Sequence, residues 1–300
     1  MTRTIWLASY PKSGNTWLRL LIANLFAKQR PVDINDLRRF GGIASARRPF
    51  DHLLLLVSGL LTLDEIDCLR PRVYEQLARI GADDDERTSA NPVRFVKVHD
   101  AYTRNADGEP LLAGARGADG AIVVVRDPRD IAPSLAGHLD IDIGRAVAIL
   151  NDTAAQWCAT PNQQHDQFRQ RLLNWSSHVG SWLEQTDIPV HLLRYEDLSA
   201  DTAAVLTRAM TFAGLAVTRD EIELAVNCAG FRQLQQQERN TGFNESPRRA
   251  QSAFFRRGIA GGWREELTAS QAACVEAAHS RLMRRLGYPL STAPSLAPAS

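Results

Sequence analysis

A lysine, a glycine and two hydroxyl residues lie together in the stretch Y-P-K-S-G-N-T-W, residues 10–17. An apolar run, T-I-W-L-A-S, precedes this stretch, and an apolar helical pattern follows it. A helix that begins there presents free backbone N–H groups, and its dipole favours an anion. Lys12 adds a positive charge, Gly14 allows close approach of the backbone, and Ser13 and Thr16 add hydroxyl donors. The stretch therefore predicts a phosphate-binding turn; the alternative is an ordinary turn capped by Ser or Asn.

A second candidate anion site follows the apolar run of V-V-V-R-D-P-R-D-I-A-P-S, residues 123–134. Arg126 comes directly after this run, and an arginine can grip a phosphate with two parallel hydrogen bonds. Ser134 stands eight residues later and can add a hydroxyl. The alternative is a salt bridge between Arg126 and Asp130 at a helix start.

A third basic stretch is F-F-R-R-G-I-A-G-G-W, residues 254–263. Arg256 and Arg257 precede Gly258, so a flexible basic loop could close on an anion. We expect the surrounding loop, 241–257, to be mobile without nucleotide, because its Gly, Asn, Ser, Pro and Arg content offers little to bury.

His99 is the best candidate for a catalytic base among the seven histidines. It follows the predicted strand V-R-F-V-K-V, 93–98, at an end of the sheet where active sites form. Histidine has a pKa near neutrality, which suits proton transfer. Lys97, two residues before His99, shares its strand face. The alternative is a histidine in a surface loop.

These motifs together resemble the cytosolic-type sulfotransferases, which use 3′-phosphoadenosine 5′-phosphosulfate (PAPS). Y-P-K-S-G-N-T-W is similar to their 5′-phosphosulfate loop, Arg126 with Ser134 to their 3′-phosphate motif, and R-R-G-I-A-G-G-W to their R-K-G-x-x-G-x-W segment. K-V-H is similar to their K-T-H element. The order of glycine and lysine differs from a Walker A loop.

The resemblance implies a set of nucleotide-binding residues: Lys12, Ser13, Gly14, Asn15, Thr16, Trp17, Arg126, Ser134, Tyr195, Phe231, Arg256, Arg257 and Gly258. It also implies that His99 is the base, that Lys97 reaches the sulfonate oxygens and that Lys12 stabilises the bridging oxygen. PAPS would be the donor and 3′-phosphoadenosine 5′-phosphate (PAP) the product, with no metal required.

The chain departs from the family pattern at several positions. Ala229 replaces a hydroxyl residue that lies near the adenine of the nucleotide. Gly262 replaces an aspartate, and Asp100 replaces the leucine that follows the histidine. Asp100 could hydrogen-bond the imidazole or the acceptor, or neither. The family's dimerisation motif, K-x-x-x-T-V-x-x-x-E, keeps only Thr268 here, so a homodimer through that motif is not expected.

Apolar strand patterns at 93–98, 121–125 and 189–195 alternate with helical patterns at 14–28, 131–137, 144–157, 168–186, 201–213, 219–228 and 268–286. Continuously apolar strands suit a parallel sheet covered on both faces. We therefore predict an α/β, three-layer P-loop-NTPase-like fold, with a central parallel sheet flanked by helices. Residues 1–290 would form a single sulfotransferase domain and 291–300 a disordered tail; D-D-D-E-R, 83–87, reads as a solvated charge run.

The composition narrows the function classes. There are 35 basic and 34 acidic side chains for a net charge of +1, which gives no basic field for nucleic acid. The four cysteines are dispersed, as in reduced cytoplasmic proteins. The run H-L-L-L-L-V-S-G-L-L-T-L, 52–63, is too short to span a bilayer. We expect a core or pocket-lining helix there; the alternative is a helix that faces a membrane surface. The Ala and Arg content suggests a bacterial source.

The acceptor is open at the level of sequence: a phenol, a sugar hydroxyl, a lipid or a natural product. Residues 30–92 and 138–168 should line its site, with Leu53 to Leu63 as an apolar wall and His138, Trp157 and His165 as further candidates. Two other functions remain open. One is a small-molecule kinase using ATP, and the other is a nucleotide-binding scaffold without chemistry.

Overall fold

A parallel sheet forms the centre of the computed structural model, which describes residues 2–27, 31–40, 42–80, 93–160, 165–246 and 252–291. In chain order the strands are β1 (Arg3–Ser9), β2 (Val93–Val98), β3 (Gly120–Val125), β4 (Gln156–Trp157), β5 (Gln170–Arg171) and β6 (Val190–Arg194). Four of them make the parallel sheet in the order β2-β1-β3-β6, and β4 and β5 form a short antiparallel hairpin. Leu7 pairs with both Lys97 and Ile122, so the first three strands end at one edge.

Helices cover both faces of the sheet. They are α1 (Asn15–Ala27), α2 (Arg47–Leu54), α3 (Leu63–Ile80), α4 (Pro128–Leu139), α5 (Ile143–Asn151), α6 (Trp175–Glu184), α7 (Tyr195–Ala200), α8 (Thr202–Phe212), α9 (Arg219–Cys228), α10 (Phe231–Thr241), α11 (Trp263–Glu266) and α12 (Ala269–Arg285). Side-chain caps fix several of these starts: Asp127 caps α4, and Thr218 and Thr268 form capping boxes.

Alternate residues of β1 enter two different cores. Ile5 and Leu7 pack with α1, α8 and α9 on one face, whereas Trp6 and Ala8 pack with α4, α5, α6 and α12 on the other. This period of two follows from the pleat, and β3 is buried at every position. The result is the predicted three-layer, P-loop-NTPase-like fold with a central parallel sheet.

The apolar run at 52–63 does not form the predicted core helix. Helix α2 ends at Leu54, Leu55 takes the left-handed conformation, and a 3₁₀ turn spans Ser58–Leu60. Leu53 and Leu54 pack on a small cluster that contains Phe50 and Phe168. The chain leaves the helix at this point, and Leu55 and Leu60 are 92% and 85% exposed. The prediction of a core or pocket-lining helix was therefore wrong.

Two helix predictions were too long around the hairpin. Helix α5 ends at Asn151, and α6 begins at Trp175 with Asn174 as its cap. Within the described ranges, no helix is long and apolar enough to cross a membrane. The predicted charge run at 83–87, residues 292–300 of the predicted tail and residues 247–251 of the predicted mobile loop lie outside those ranges.

Candidate active site

The turn between β1 and α1 has the backbone of an anion cradle. Lys12 and Gly14 both have positive φ, 69° and 102°. A Cβ on Gly14 would lie 2.5 Å from the ring of Tyr195, so only glycine fits. The side-chain Nδ2 of Asn15 donates to Leu7 O at 2.8 Å and ties the turn to β1.

Polar atoms in this turn are left without partners. The hydroxyl of Ser13 and the side-chain oxygen of Asn15 are buried and make no hydrogen bond. Buried polar groups are rarely unsatisfied, so each of these two atoms requires an explanation. The Ser13 hydroxyl can donate, whereas the Asn15 oxygen only accepts.

Lys12 is a partly buried cation among other cations. Its Nζ lies 3.7 Å from the centre of the Phe254 ring. Burial, together with the nearby charges of Lys97 and Arg126, lowers the pKa of Lys12 to about 7. An anion placed in the turn would relieve this repulsion.

Arg126 follows β3 and faces the same space. Its guanidinium lies 4.3 Å from the centre of the Tyr195 ring and donates to Ile259 O at 3.0 Å. The salt bridge between Arg126 and Asp130, which was the alternative for this motif, is not formed. Asp130 instead accepts from the backbone N–H groups of Gly261 and Trp263, at 2.6 and 2.8 Å. This carboxylate holds the glycine-rich segment against α4.

The geometry around His99 fixes which ring nitrogen is free. The residue is 7% exposed at the end of β2, and its Nδ1 lies 2.8 Å from the carbonyl oxygen of Ser9. A carbonyl oxygen only accepts, so Nδ1 carries the proton and Nε2 keeps its lone pair. Burial and the charge of Lys97 hold the pKa of His99 well below 6.5. The imidazole is therefore neutral and able to accept a proton at Nε2.

Lys97 is paired with an acid that the sequence motifs do not contain. Its Nζ lies 3.1 Å from Glu245, which also pairs with Arg19 at 2.7 Å. Burial alone would raise the pKa of Glu245, but Lys97 and Arg19 bring it down to about 2. Burial in turn lowers the pKa of Lys97. The stretch N-E-S, 244–246, carries no signal that could have identified Glu245.

Asp100 contacts neither His99 nor the cavity. It is 1% exposed and binds Arg70 through two hydrogen bonds of 2.6 and 3.2 Å. It also accepts from the backbone N–H of Arg171 in β5. Asp100 thus anchors the hairpin of β4 and β5. Of the alternatives considered for Asp100, this is the one in which its side chain bonds neither the imidazole nor the acceptor.

One cavity of about 1310 Å³ joins these elements at the carboxyl edge of the sheet. The predicted site residues that line it are Lys12, Gly14, Asn15, Thr16, Trp17, Lys97, His99, Arg126, Ser134, Tyr195, Phe231, Arg256, Arg257 and Gly258. Ser13 does not line it; that residue is fully buried beneath the turn. His138, Trp157 and His165 also line the cavity.

The predicted apolar wall is absent from this cavity. None of the residues from Leu53 to Leu63 lines it, so that prediction was wrong. The preceding turn of α2 lines it instead, with Asp51 and His52. In the ranges given above, no group of three or more His, Cys, Asp or Glu side chains is arranged to hold a metal.

The three predicted aromatic residues lie beside two glycines of the site, Tyr195 near Gly14 and Phe231 near Gly258, with Trp17 next to Tyr195. Trp17 Nε1 donates to Ala229 O at 3.1 Å, and the Trp17 ring lies 5.8 Å from that of Tyr195. The ring of Phe231 packs under Gly258, whose Cβ, if present, would lie 2.5 Å from it.

The two arginines beside that glycine are paired with acids of α11. Arg256 and Arg257 both bind Glu266, and Arg257 also binds Glu265 at 2.6 Å. These contacts hold the basic loop against the start of α11.

Comparison with known proteins gives one family. The model of the sulfotransferase domain matches residues 121–287, more than half of the chain. Flavonol 3-sulfotransferase of Flaveria bidentis is 26% identical over 281 residues, which are 88% of this chain and 76% of that protein. Sulfotransferase 1A1 of the dog, Canis lupus familiaris, is 26% identical over 123 residues, or 42% of its own length. The chain thus matches less than half of the length of such mammalian relatives.

Solved structures show the same fold. Mouse sulfotransferase SULT7A1, complexed with PAP, superposes with a TM-score of 0.56 at 19% identity, over 94% of this chain and 85% of that one. Retinol dehydratase, in a complex with retinol and PAP, gives a TM-score of 0.59 at 16% identity, over 95% and 82% of the two chains. Fold likeness and family match agree, and the chain belongs to the sulfotransferase domain family.

Proposed function

We propose that this protein transfers a sulfuryl group from PAPS to a hydroxyl, or an amine, of a small-molecule acceptor. The observation that carries the proposal is the shared cavity at the ends of three adjacent strands. His99, Lys12 and Arg126 all line this cavity, and burial with the charge of Lys97 favours the neutral form of His99. Such a combination of base and cations is what in-line transfer to a hydroxyl requires.

The residues present fit the donor. Lys12 and the N-terminus of α1 suit the 5′-phosphosulfate. Ser13 stays a predicted contact of that group, although its hydroxyl does not line the cavity. Arg126 and Ser134 suit the 3′-phosphate, with Arg256, Arg257 and Gly258 as a closing loop. Trp17, Phe231 and Tyr195 offer aromatic surfaces for the adenine. Asn15 and Thr16 complete the turn.

The chain's own groups can carry out each proton and charge movement. When bound, PAPS supplies an activated sulfuryl group. His99 Nε2 would take the proton of the acceptor hydroxyl, and the ammonium of Lys12 would stabilise the charge left on the departing phosphate oxygen. Lys97 would reach the sulfonate oxygens once it exchanges its bond to Glu245.

The remaining expectations belong to the same proposal. Residues 1–290 would act as one domain, and the reaction would run in the cytoplasm. Four unpaired cysteines support a reducing compartment. A homodimer would have to use contacts other than the family's usual motif, because the chain keeps only Thr268 of it.

Calorimetric titration with PAP, and with ATP and AMP as controls, tests the proposal. We expect PAP to bind at least ten times more tightly than either control, and Arg126→Ala to remove most of that preference. The arginine holds the 3′-phosphate with charge-assisted bonds, which are worth about 1.5–3 kcal/mol each. A preference for ATP, or equal binding with and without the 3′-phosphate, would favour the kinase alternative.

A further inference from the structure

The cavity wall beyond His99 contains a group of polar side chains, beside the apolar Ile43, Ala46 and Pro49. We call this group the acceptor wall; it consists of Arg47, Asp51, His52, His165, Gln167 and Gln170. These residues come from α2 and from the segment that leads into β5. The leucines that could have made an apolar wall divide between the Phe50 and Phe168 cluster and solvent, which Leu55 and Leu60 face. An acceptor that buried only hydrocarbon here would desolvate these polar groups without compensation.

Two buried atoms of this wall have no hydrogen-bond partner. Gln170 is 1% exposed, and its Nε2 donates to Gln167 Oε1 at 3.0 Å, but its Oε1 is unsatisfied. The Nε2 of His165 is likewise buried and unpaired. An unsatisfied buried group is destabilising, and a ligand hydroxyl would satisfy Gln170 Oε1 once the side chain turns toward the cavity. The amide oxygen needs a donor, which a hydroxyl supplies.

The charges of the wall are largely satisfied by the protein. Arg47 donates to His165 O at 2.6 Å and to Ser58 Oγ at 3.0 Å, and its guanidinium covers the Phe168 ring. Asp51 accepts from the backbone N–H of Ser58 at 3.0 Å. A wall with both signs of charge, each held internally, does not select an anionic or a cationic acceptor. It favours a neutral molecule with many hydroxyls.

Trp157 adds a flat apolar surface next to the base. Its ring lies 5.9 Å from that of His99, edge to face, and stacks on His138 at 5.9 Å. A sugar ring combines a C–H face, which packs on an aromatic ring, with hydroxyls at its rim. Trp157 can pack against the C–H face of such a molecule, and the acceptor wall can hydrogen-bond its hydroxyls.

We infer that the acceptor is a neutral polyhydroxylated molecule of the saccharide class, which enters with one hydroxyl at His99 Nε2. This inference rests on the proposed function. Gln170 is then a specificity-determining residue that accepts a hydrogen bond from a second hydroxyl. The chemistry is that of the sulfotransferase step above, and only the identity of the acceptor is added.

The test compares two classes of acceptor with labelled PAPS. One class contains methyl and p-nitrophenyl glycosides of glucose, galactose and mannose; the other contains 2-naphthol and p-nitrophenol. We expect at least tenfold higher kcat/KM for the best glycoside than for either phenol. Higher kcat/KM for a phenol, or transfer to none of the glycosides, would overturn the inference. Calorimetric binding of PAP, measured on the same samples, reports on the proposed function separately.

Variants test the role of Gln170. Gln170→Leu keeps the volume and removes the amide, so KM for the glycoside should rise about tenfold while PAP affinity is unchanged. Gln271→Leu is the matched control, because Gln271 caps α12 and does not line the cavity. It should lower thermal stability and leave KM unchanged. An unchanged glycoside KM in Gln170→Leu would contradict the specificity role.

Discussion

Lys12 lies where its charge responds to an incoming phosphate. Its pKa is lowered to about 7 by burial and by neighbouring cations, so much of it is neutral above that pH. A bound phosphate favours the ammonium form, and binding must then take up a proton. By linkage, PAP affinity should fall as pH rises from about 7.5 to 9, by up to tenfold per unit.

Calorimetry at pH 8, in buffers of different ionisation enthalpy, measures that proton uptake. Lys12→Arg stays charged throughout this range, so its PAP affinity should change little between pH 7.5 and 9. Equal proton uptake in the wild type and in Lys12→Arg would assign the proton to another group, with Lys97 the first to examine.

The position of a motif residue could be predicted where the chain leads from a strand to that residue. Lys12, Gly14, Arg126 and His99 each follow a strand of the sheet and line the cavity, and their roles stay predictions. Glu245 is different, because its importance arises from Lys97, which lies 148 residues away in sequence. Long-range ion pairs of this kind leave no local pattern.

At the level of elements, the turn between β1 and α1 depends on Gly14. An alanine there would suffer both the positive φ of 102° and a contact of 2.5 Å with the ring of Tyr195. We expect Gly14→Ala to weaken PAP binding at least tenfold and to lower stability by more than the roughly 1 kcal/mol typical of backbone strain alone.

Gly108→Ala separates the two effects. Gly108 has a φ of 78°, and a Cβ there would meet nothing within 4 Å. It should therefore show the backbone cost without the ring contact, and leave PAP affinity unchanged. If both variants lost the same stability and kept PAP affinity, the contact with Tyr195 would not control the turn.

Strands were easier to predict than the segments around the acceptor. The run G-A-I-V-V-V is buried on both faces, and few other structures suit such a run. The run at 52–63 has similar hydropathy, but its leucines divide between a small cluster and solvent. The hairpin of β4 and β5 rests on Asp100 and Arg70, which are distant in sequence, so helical patterns were predicted through it.

Across the whole molecule, buried neutral histidines should set the stability at low pH. Burial lowers the pKa of His178 and His279 to about 4 and that of His138 to about 3. It also holds the pKa of His99 well below 6.5. The unfolded chain binds these protons near pH 6.5 and the folded chain does not. The contribution of these neutral histidines to the free energy of unfolding is therefore fully present above pH 6.5. It falls as pH drops toward 4, by about 1.4 kcal/mol per pH unit for each histidine.

Urea unfolding at pH 7.5, 6.5, 5.5 and 5.0 measures this dependence. His178→Asn is the informative variant, because an amide can replace the Nδ1–H that donates to Leu172 O at 3.0 Å, yet it does not titrate. We expect the free energy of unfolding of this variant to fall less steeply below pH 6.5. The slope should be smaller by about 1.4 kcal/mol per pH unit, the contribution of one proton. If the wild type kept its stability down to pH 5, the histidines would have to be protonated in the folded state. The neutral form of His99, on which the proposed proton transfer depends, would then need to be measured directly.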